Sequence, residues 1–265
     1  MGGPADRFRA LHRPGEPLLL PNPWDVGSAK LLASIGFRAL ATTSSGFAAT
    51  LGRLDGSVTR DEALAHSALM ATATDLPVNG DLENGFADDP AGVAQTIRLA
   101  IDAGLAGCSI EDYTGRDGDP IYELGSAAER VAAAAEAAGP DLVLTARAEN
   151  YLHGRPDLAD TIARLQAYQD AGADVLYAPG LRSLDDIRSV VESLDKPVNV
   201  LALPGAPSVP EMAGAGVARI SVGGAFAFAA AGALVAAGRE LLEQGTYGFW
   251  DTARPGAKAA REAFG

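Results

Sequence analysis

The chain is short of cysteine, of basic residues and of long apolar runs. One cysteine among 265 residues, Cys108, leaves no internal disulfide and no thiolate metal cluster to consider. It sits in a β-type run, where a free cysteine reads as a small buried hydrophobe. Lys and Arg number 21 against 34 Asp and Glu, a formal net charge of −13. That balance argues against nucleic acid and against anionic membrane surfaces, while a local arginine or a bound cation still admits a small anionic substrate. The one long run without charge lies near 224–237, an Ala-rich stretch followed by Arg239, Glu240 and Glu243 that reads as a buried helix of a soluble protein. Met1 to Pro14 carries Asp6, Arg7, Arg9 and Arg13 in place of an apolar leader core, so a cytoplasmic protein is expected.

What the chain does have is an acidic strand end, Pro77-Val78-Asn79-Gly80-Asp81-Leu82-Glu83-Asn84-Gly85-Phe86. Side chains two apart on a strand share a face, so Asp81 and Glu83 are expected to leave on the same side, just before an Asn-Gly turn. Two carboxylates held that close repel unless a cation lies between them, and a hard ion such as Mg²⁺, with Mn²⁺ as its substitute, prefers such oxygens. A solvated acidic turn is the plain alternative.

Along the chain, short apolar runs alternate with helical patterns. Strands are expected at 17–21, 37–43, 77–81, 106–110, 141–146, 174–177, 197–201 and 217–221. Helices are expected at 26–35, 59–74, 90–103, 126–138, 157–171, 184–194 and 209–215. Thr59 with Glu62 forms a capping box. Ala-Gly pairs precede strands at 103–104, 171–172 and 215–216, as helix stops feeding the next strand require. Eight strands in this length predict one (β/α)₈ barrel of the TIM type over 1–265, with 225–265 as a C-terminal helical arm. A doubly wound sheet is the alternative. It is less favoured because no Gly-rich dinucleotide fingerprint opens the first helix, whereas polar residues end nearly every strand.

In a barrel those ends converge on one mouth. They would bring together Trp24 and Asp25, then Ser44, Ser45 and Gly46, Asp81 and Glu83, Glu111, Arg147 with Glu149, and Asn199, with Asp55 leaning in from a loop. Carboxylates in excess beside one guanidinium suit a metal site facing an anion clamp. Ser45 and the Gly46 amide would add neutral donors, and Trp24 would wall the pocket. Asn199 faces inward if the register is as read. Of the histidines, His12 and His66 are expected to be surface or packing residues, and His153 is the one whose position would allow it to reach the mouth, with ordinary loop packing as the alternative.

The ordered motifs Asn22-Pro23-Trp24-Asp25, Ser44-Ser45-Gly46, the acidic strand, Ser109-Ile110-Glu111-Asp112 and Thr145-Ala146-Arg147-Ala148-Glu149-Asn150 resemble the isocitrate lyase/phosphoenolpyruvate mutase superfamily, from about 18 to about 248. The resemblance implies a (β/α)₈ barrel whose last helix swaps between subunits of a homodimer or homotetramer. The segment 225–243 would be that helix, and the tail 246–265 either lies on the partner or frays. It further implies small carboxylate substrates and Mg²⁺-dependent chemistry through a pyruvate-enolate-like species. By motif, Ser45, Gly46 and Arg147 would hold the pyruvyl unit, and Asp55, Asp81, Glu83 and Glu111 would surround the metal, largely through water. Two departures stand out in the acidic motif: Glu83 replaces its second Asp, and Ala87 its last Gly. The loop Tyr113–Pro120 holds neither the lyases' Lys-x-Cys-Gly-His nor the mutases' gating segment.

The resulting expectation is a Mg²⁺-dependent lyase cleaving a C–C bond of a small 2-oxo or 2-hydroxy acid, as an oxaloacetate decarboxylase would. Tyr113 either closes the site and donates a proton or packs its loop. Phosphoenolpyruvate P–C chemistry, with Arg116, Arg155 or His153 as extra cationic groups, and a barrel that only binds a 2-oxo acid are the alternatives.

Overall fold

A computed structural model describes residues 2–265. The strands are β1 (Leu18–Leu20), β2 (Leu40–Ala41), β3 (Val78–Asp81), β4 (Gly107–Glu111), β5 (Val143–Arg147), β6 (Val175–Tyr177), β7 (Val198–Leu201) and β8 (Arg219–Ser221). All pair in parallel in the order β1-β8-β7-β6-β5-β4-β3-β2, and the Ala41 N–H donates to Pro21 O at 3.0 Å across the remaining gap. Asn22 closes the same seam at the top. It donates to Thr42 O at 2.8 Å and accepts from the Val222 and Gly223 amides at 3.0 and 2.9 Å. A nearly closed (β/α)₈ barrel results, and the doubly wound alternative falls because no strand order reverses.

Helices follow as α1 (Pro4–Arg9), α2 (Val26–Ser34), α3 (Ser44–Thr50), α4 (Arg60–Ala73), α5 (Pro90–Asp102), α6 (Leu124–Ala138), α7 (Leu158–Asp170), α8 (Leu184–Glu192) and α9 (Val209–Gly214). The chain ends with α10 (Ala225–Arg239), which continues as a π-helical turn over Glu240–Gln244, and α11 (Trp250–Phe264). The Thr59–Glu62 box opens α4 as expected. Gly104, Gly172 and Gly216 adopt φ of 82°, 103° and 84°, left-handed turns that carry helix into strand where a Cβ would be strained. α1 plugs the barrel's lower end: Phe8 is fully buried against Leu18, Leu20, Val143 and Val175, a burial worth roughly 1.5–3 kcal/mol.

Three expectations are corrected. The polar segment after β2 is no loop but α3, because the Thr43 hydroxyl caps it by accepting from the Gly46 amide. Asp81 and Glu83 do not share a strand face. β3 ends at Asp81, Leu82 is buried, and a tight turn closed by Gly85 N–H on Leu82 O at 2.7 Å puts Glu83 at φ 47°. The apolar helix α10 is not buried within the chain: it leaves the barrel after β8 and leaves Phe228, Leu234 and Val235 exposed. Ala225–Gln244 is long and apolar enough to cross a membrane by length and composition alone. The tail is ordered as α11 and packs along α2 of its own chain.

Candidate active site

Alternation along the strands sends Asp81, Ser109, Glu111, Arg147, Tyr177, Asn199, Arg219 and Ser221 toward the barrel interior and mouth. At their centre is Arg147. One amino group of its fork lies 3.0 Å from Asp81 Oδ1 and 3.1 Å from Glu111 Oε2, and the other 2.8 Å from Glu149 Oε1. Its Nε also donates to Glu149, and the fork lies over the Tyr177 ring at 5.3 Å. Burial alone would lower this guanidinium, but Glu111, Glu149 and Asp81 outweigh it and hold it well above its ordinary value. Burial in turn pushes Glu111 well up, against the pull of Arg147, with Glu149, Asp81 and Glu83 adding to the rise.

One cation thus faces an excess of carboxylates. Glu83 shows the consequence: burial, then Asp81 and Asp55, push it up to about 7. The Glu83 carbonyl accepts from the Glu111 amide at 2.9 Å, which ties the turn to β4. Arg130 of α6 holds the same turn from below, with hydrogen bonds of 2.5 Å to Ala87 O and Asp88 O and a third to Asn84 O. Asp81 is fixed at both ends, its amide donating to Thr42 Oγ1 at 2.8 Å and its Oδ2 accepting from the Ser44 amide at 3.0 Å.

These groups surround a cavity of ≈ 130 Å³ running down the barrel axis. Of the residues singled out from sequence, Ser44, Ser45, Asp55, Asp81, Arg147 and Asn199 line it. Glu83 lies behind Asp81 in a smaller recess, and Glu111 reaches the site through Arg147. Gly46 is buried behind the wall. Its amide goes to Thr43 Oγ1, and a Cβ there would come within 3.2 Å of Trp24 and Ala227, so its role in this chain is close packing. Trp24 does not line the cavity and accepts at its carbonyl from His66 Nε2 at 3.0 Å. Tyr113 does not line the cavity; it stacks on His153 with ring centroids 3.8 Å apart, and His153 Nε2 lies 3.7 Å from Glu149 Oε2. His12 and His66 are buried packing residues.

Sequence reasoning passed over Thr42, Asn79, Ser109, Tyr177, Arg219 and Ser221, all of which line the cavity. Their signal was available: Asn79 stands two before Asp81, Ser109 two before Glu111, and an arginine inside a barrel strand is rare unless paired. Asp112 is the outward neighbour of Glu111. It accepts from the Glu149 amide at 2.8 Å, Arg164 Nη1 at 3.2 Å and Tyr168 Oη at 2.5 Å, so it positions β5 and its end from outside. Among the described residues, no three His, Cys, Asp or Glu side chains converge at direct metal-binding distance.

The family model for phosphoenolpyruvate phosphomutase matches residues 8–242. An uncharacterised protein of Mycobacterium tuberculosis is 33% identical over 242 residues, 88% of this chain and 90% of its own. A crystal structure from Burkholderia cenocepacia J2315, provisionally assigned as a lyase/mutase, is 54% identical, superposes with a TM-score of 0.93 and covers 97% of this chain and 95% of its own. The structure of a 2,3-dimethylmalate lyase is 29% identical over 94% of this chain and 90% of its own, with a TM-score of 0.84. The barrel, the ordered site motifs and this family match agree: the chain belongs to the phosphoenolpyruvate mutase/isocitrate lyase superfamily, whose members are lyases and mutases.

Proposed function

We propose that this chain is a Mg²⁺-dependent carbon–carbon lyase acting on a small 2-oxo or 2-hydroxy carboxylic acid through a pyruvate-enolate-like species. The observation that carries the reading is one guanidinium, Arg147, set between Asp81, Glu111 and Glu149 at a cavity sized for a small acid. Carboxylates in excess, with Glu83 pushed up to about 7 by burial and then by Asp81 and Asp55, are a donor set that fits a hard divalent cation. Because no three of them converge, Asp55, Asp81, Glu83 and Glu111 would hold the ion largely through water, as Mg²⁺ prefers. When bound, the ion supplies Lewis acidity toward a carbonyl or enolate oxygen.

The protein's own groups do the rest. Arg147 neutralises the acid and the oxyanion that develops as the bond breaks, without reorganising at that moment. Ser45, hydrogen-bonded to Thr43 Oγ1 at 3.2 Å, offers a neutral donor to the same oxygens. Tyr113, held by its stack on His153, would close the site from the loop after β4. Decarboxylation of an oxaloacetate-like acid needs no general base, which suits a cavity without a lysine or cysteine in its lining. P–C chemistry is less well served by the cations named for it, since Arg116 pairs with Asp88 at 2.7 Å and Arg155 approaches Asp119 at 3.9 Å, both outside the cavity. The exposed apolar α10, and Leu19 uncovered on the outer face of β1, support a homo-oligomer in which a second copy covers both.

The test is to incubate the protein with oxaloacetate, phosphoenolpyruvate, malate and methylisocitrate, with Mg²⁺ and with chelator, following pyruvate and phosphonate by NMR. Chelator-sensitive pyruvate release supports the lyase. Phosphonate formation would replace it with the mutase reading. Mg²⁺-dependent binding of these acids without turnover would favour a non-catalytic barrel.

A further inference from the structure

Arg219 is among the largest fully buried side chains, and its partners are all neutral. Its Nε donates to Asn199 Oδ1 at 3.0 Å and Nη2 to Thr145 Oγ1 at 3.0 Å. Nη1 lies 3.2 Å from His12 Nε2. The other ring nitrogen of His12 lies 2.9 Å from Phe8 O and must donate there, so Nε2 accepts and the ring is neutral. Burial and the neighbouring Arg219 push His12 down to about 3, in keeping with that tautomer. A guanidinium has five N–H donors, and three are engaged.

A buried cation without a counter-ion is costly, and a ligand that brings the opposite charge removes that cost. Arg219 is such a cation, and it lines the same cavity as Arg147. The two arginines differ in one respect. Arg147 is matched by carboxylates at hydrogen-bond distance, whereas Arg219 has none within 4.0 Å among the described residues. A second observation points the same way. Asn79 is 3% exposed, lines this cavity, and its Oδ1 is the buried side-chain atom left without any hydrogen-bond partner. Its Nδ2 donates to Gly80 O at 3.3 Å, so exchanging the two amide atoms would set oxygen against oxygen. The cavity thus holds two spare donors on a cation and one acceptor awaiting a donor, a pattern that matches a carboxylate and a hydroxyl.

Resting on the lyase reading, we infer that Arg219 is the site of a second carboxylate. The oxaloacetate-like acid, dicarboxylic on that reading already, then lies with one end at Arg147 and the other at Arg219, with Asn79 taking a hydroxyl or a bridging water. The two unused N–H groups suit the two oxygens of a carboxylate, and Asn199, Thr145 and His12 hold the fork in place.

Malate and 2-hydroxybutyrate differ only in a terminal carboxylate against a methyl group, and oxalate is a short acid for the Arg147 end alone. Titration calorimetry with Mg²⁺ would compare the three on the wild type and on Arg219→Gln, with thermal melts checking the fold. The wild type should bind malate at least about tenfold tighter than 2-hydroxybutyrate, from one charge-assisted pair. Arg219→Gln should lose that preference while binding 2-hydroxybutyrate and oxalate as before. Arg219→Lys, which keeps the charge without the planar fork, is the second variant and should keep part of the preference. A wild type that binds oxalate but shows no malate preference, or a preference intact in Arg219→Gln, overturns the inference and leaves the lyase reading standing. If oxalate itself fails to bind the wild type, the lyase reading falls and takes the inference with it.

Discussion

Replacing Asp112 by asparagine should destabilise the protein by about 3 kcal/mol, although the change is isosteric and touches no atom of the cavity lining. Asp112 is 3% exposed, and its two oxygens have separate duties. Oδ1 accepts the Glu149 amide, while Oδ2 accepts both Arg164 Nη1 and Tyr168 Oη. An asparagine must place its NH₂ at one of these ends. At the Oδ2 end it meets the Arg164 N–H, and at the Oδ1 end the Glu149 N–H, so one donor faces a donor in either orientation. Arg164 keeps Asp160 at 2.8 Å, which limits the loss of its counter-charge. Breaking one partner of a buried pair costs roughly 3–5 kcal/mol, and the retained Asp160 contact argues for the lower end. For a domain of this size that is a fall in Tm of roughly 6–12 °C. Urea unfolding with an unchanged slope, beside thermal melts, would measure it. A variant within about 0.5 kcal/mol of the wild type would refute the claim that Asp112 holds β5 and α7 together.

Arg147→Met should lower turnover by roughly 10²–10³-fold, as removal of a preorganised oxyanion partner does, with the fold retained by circular dichroism; turnover within a few fold of wild type would remove Arg147 from the chemistry. Glu83 sits at about 7 in the fold against an ordinary 4.5, so the folded state binds the extra proton between those values and stability falls as pH rises through that window. In chelator, urea unfolding from pH 4.5 to 7 should show this fall in the wild type and not in Glu83→Gln, and added Mg²⁺ should flatten it by favouring the carboxylate. Leu234→Glu on α10 should reduce the mass seen by light scattering from oligomer toward monomer, and a wild type that is already monomeric would remove the swapped-helix proposal. Arg130→Met should loosen the turn that carries Glu83, detectable as faster amide exchange over 84–88, since three carbonyls lose their donor.

The barrel could be read from the chain because its signals are local. Three Ala-Gly stops, a capping box and polar strand ends each act within a few residues, and with eight strands alternating with helices they favour a closed barrel over an open sheet. Site residues at strand ends were legible for the same reason: Asp81, Arg147 and Asn199 follow from strand phase. Glu83 was misplaced because the reading extended strand alternation past Asp81, where a turn takes over. Nothing short of the turn's own hydrogen bonds fixes that end point. α3 was missed because Thr43 caps a helix so short that its seven residues carry no periodicity. The exposure of α10 is not a local property either, since an apolar helix looks the same whether its own barrel or a second copy covers it.

Arg219 is the deeper case. Its sequence position, in a strand already assigned, was visible, but its meaning depends on what does not stand beside it. Charge compensation is set by partners from β5, β7 and the N-terminal segment, brought together only by barrel closure. At Arg147 the same closure gathers carboxylates from β3, β4 and the segment after β5, more than one guanidinium can neutralise. One cavity therefore has an end with surplus negative charge and an end with a bare positive one. A divalent cation suits the first and an anionic group the second, so a metal-chelating acid with a second carboxylate satisfies both at once.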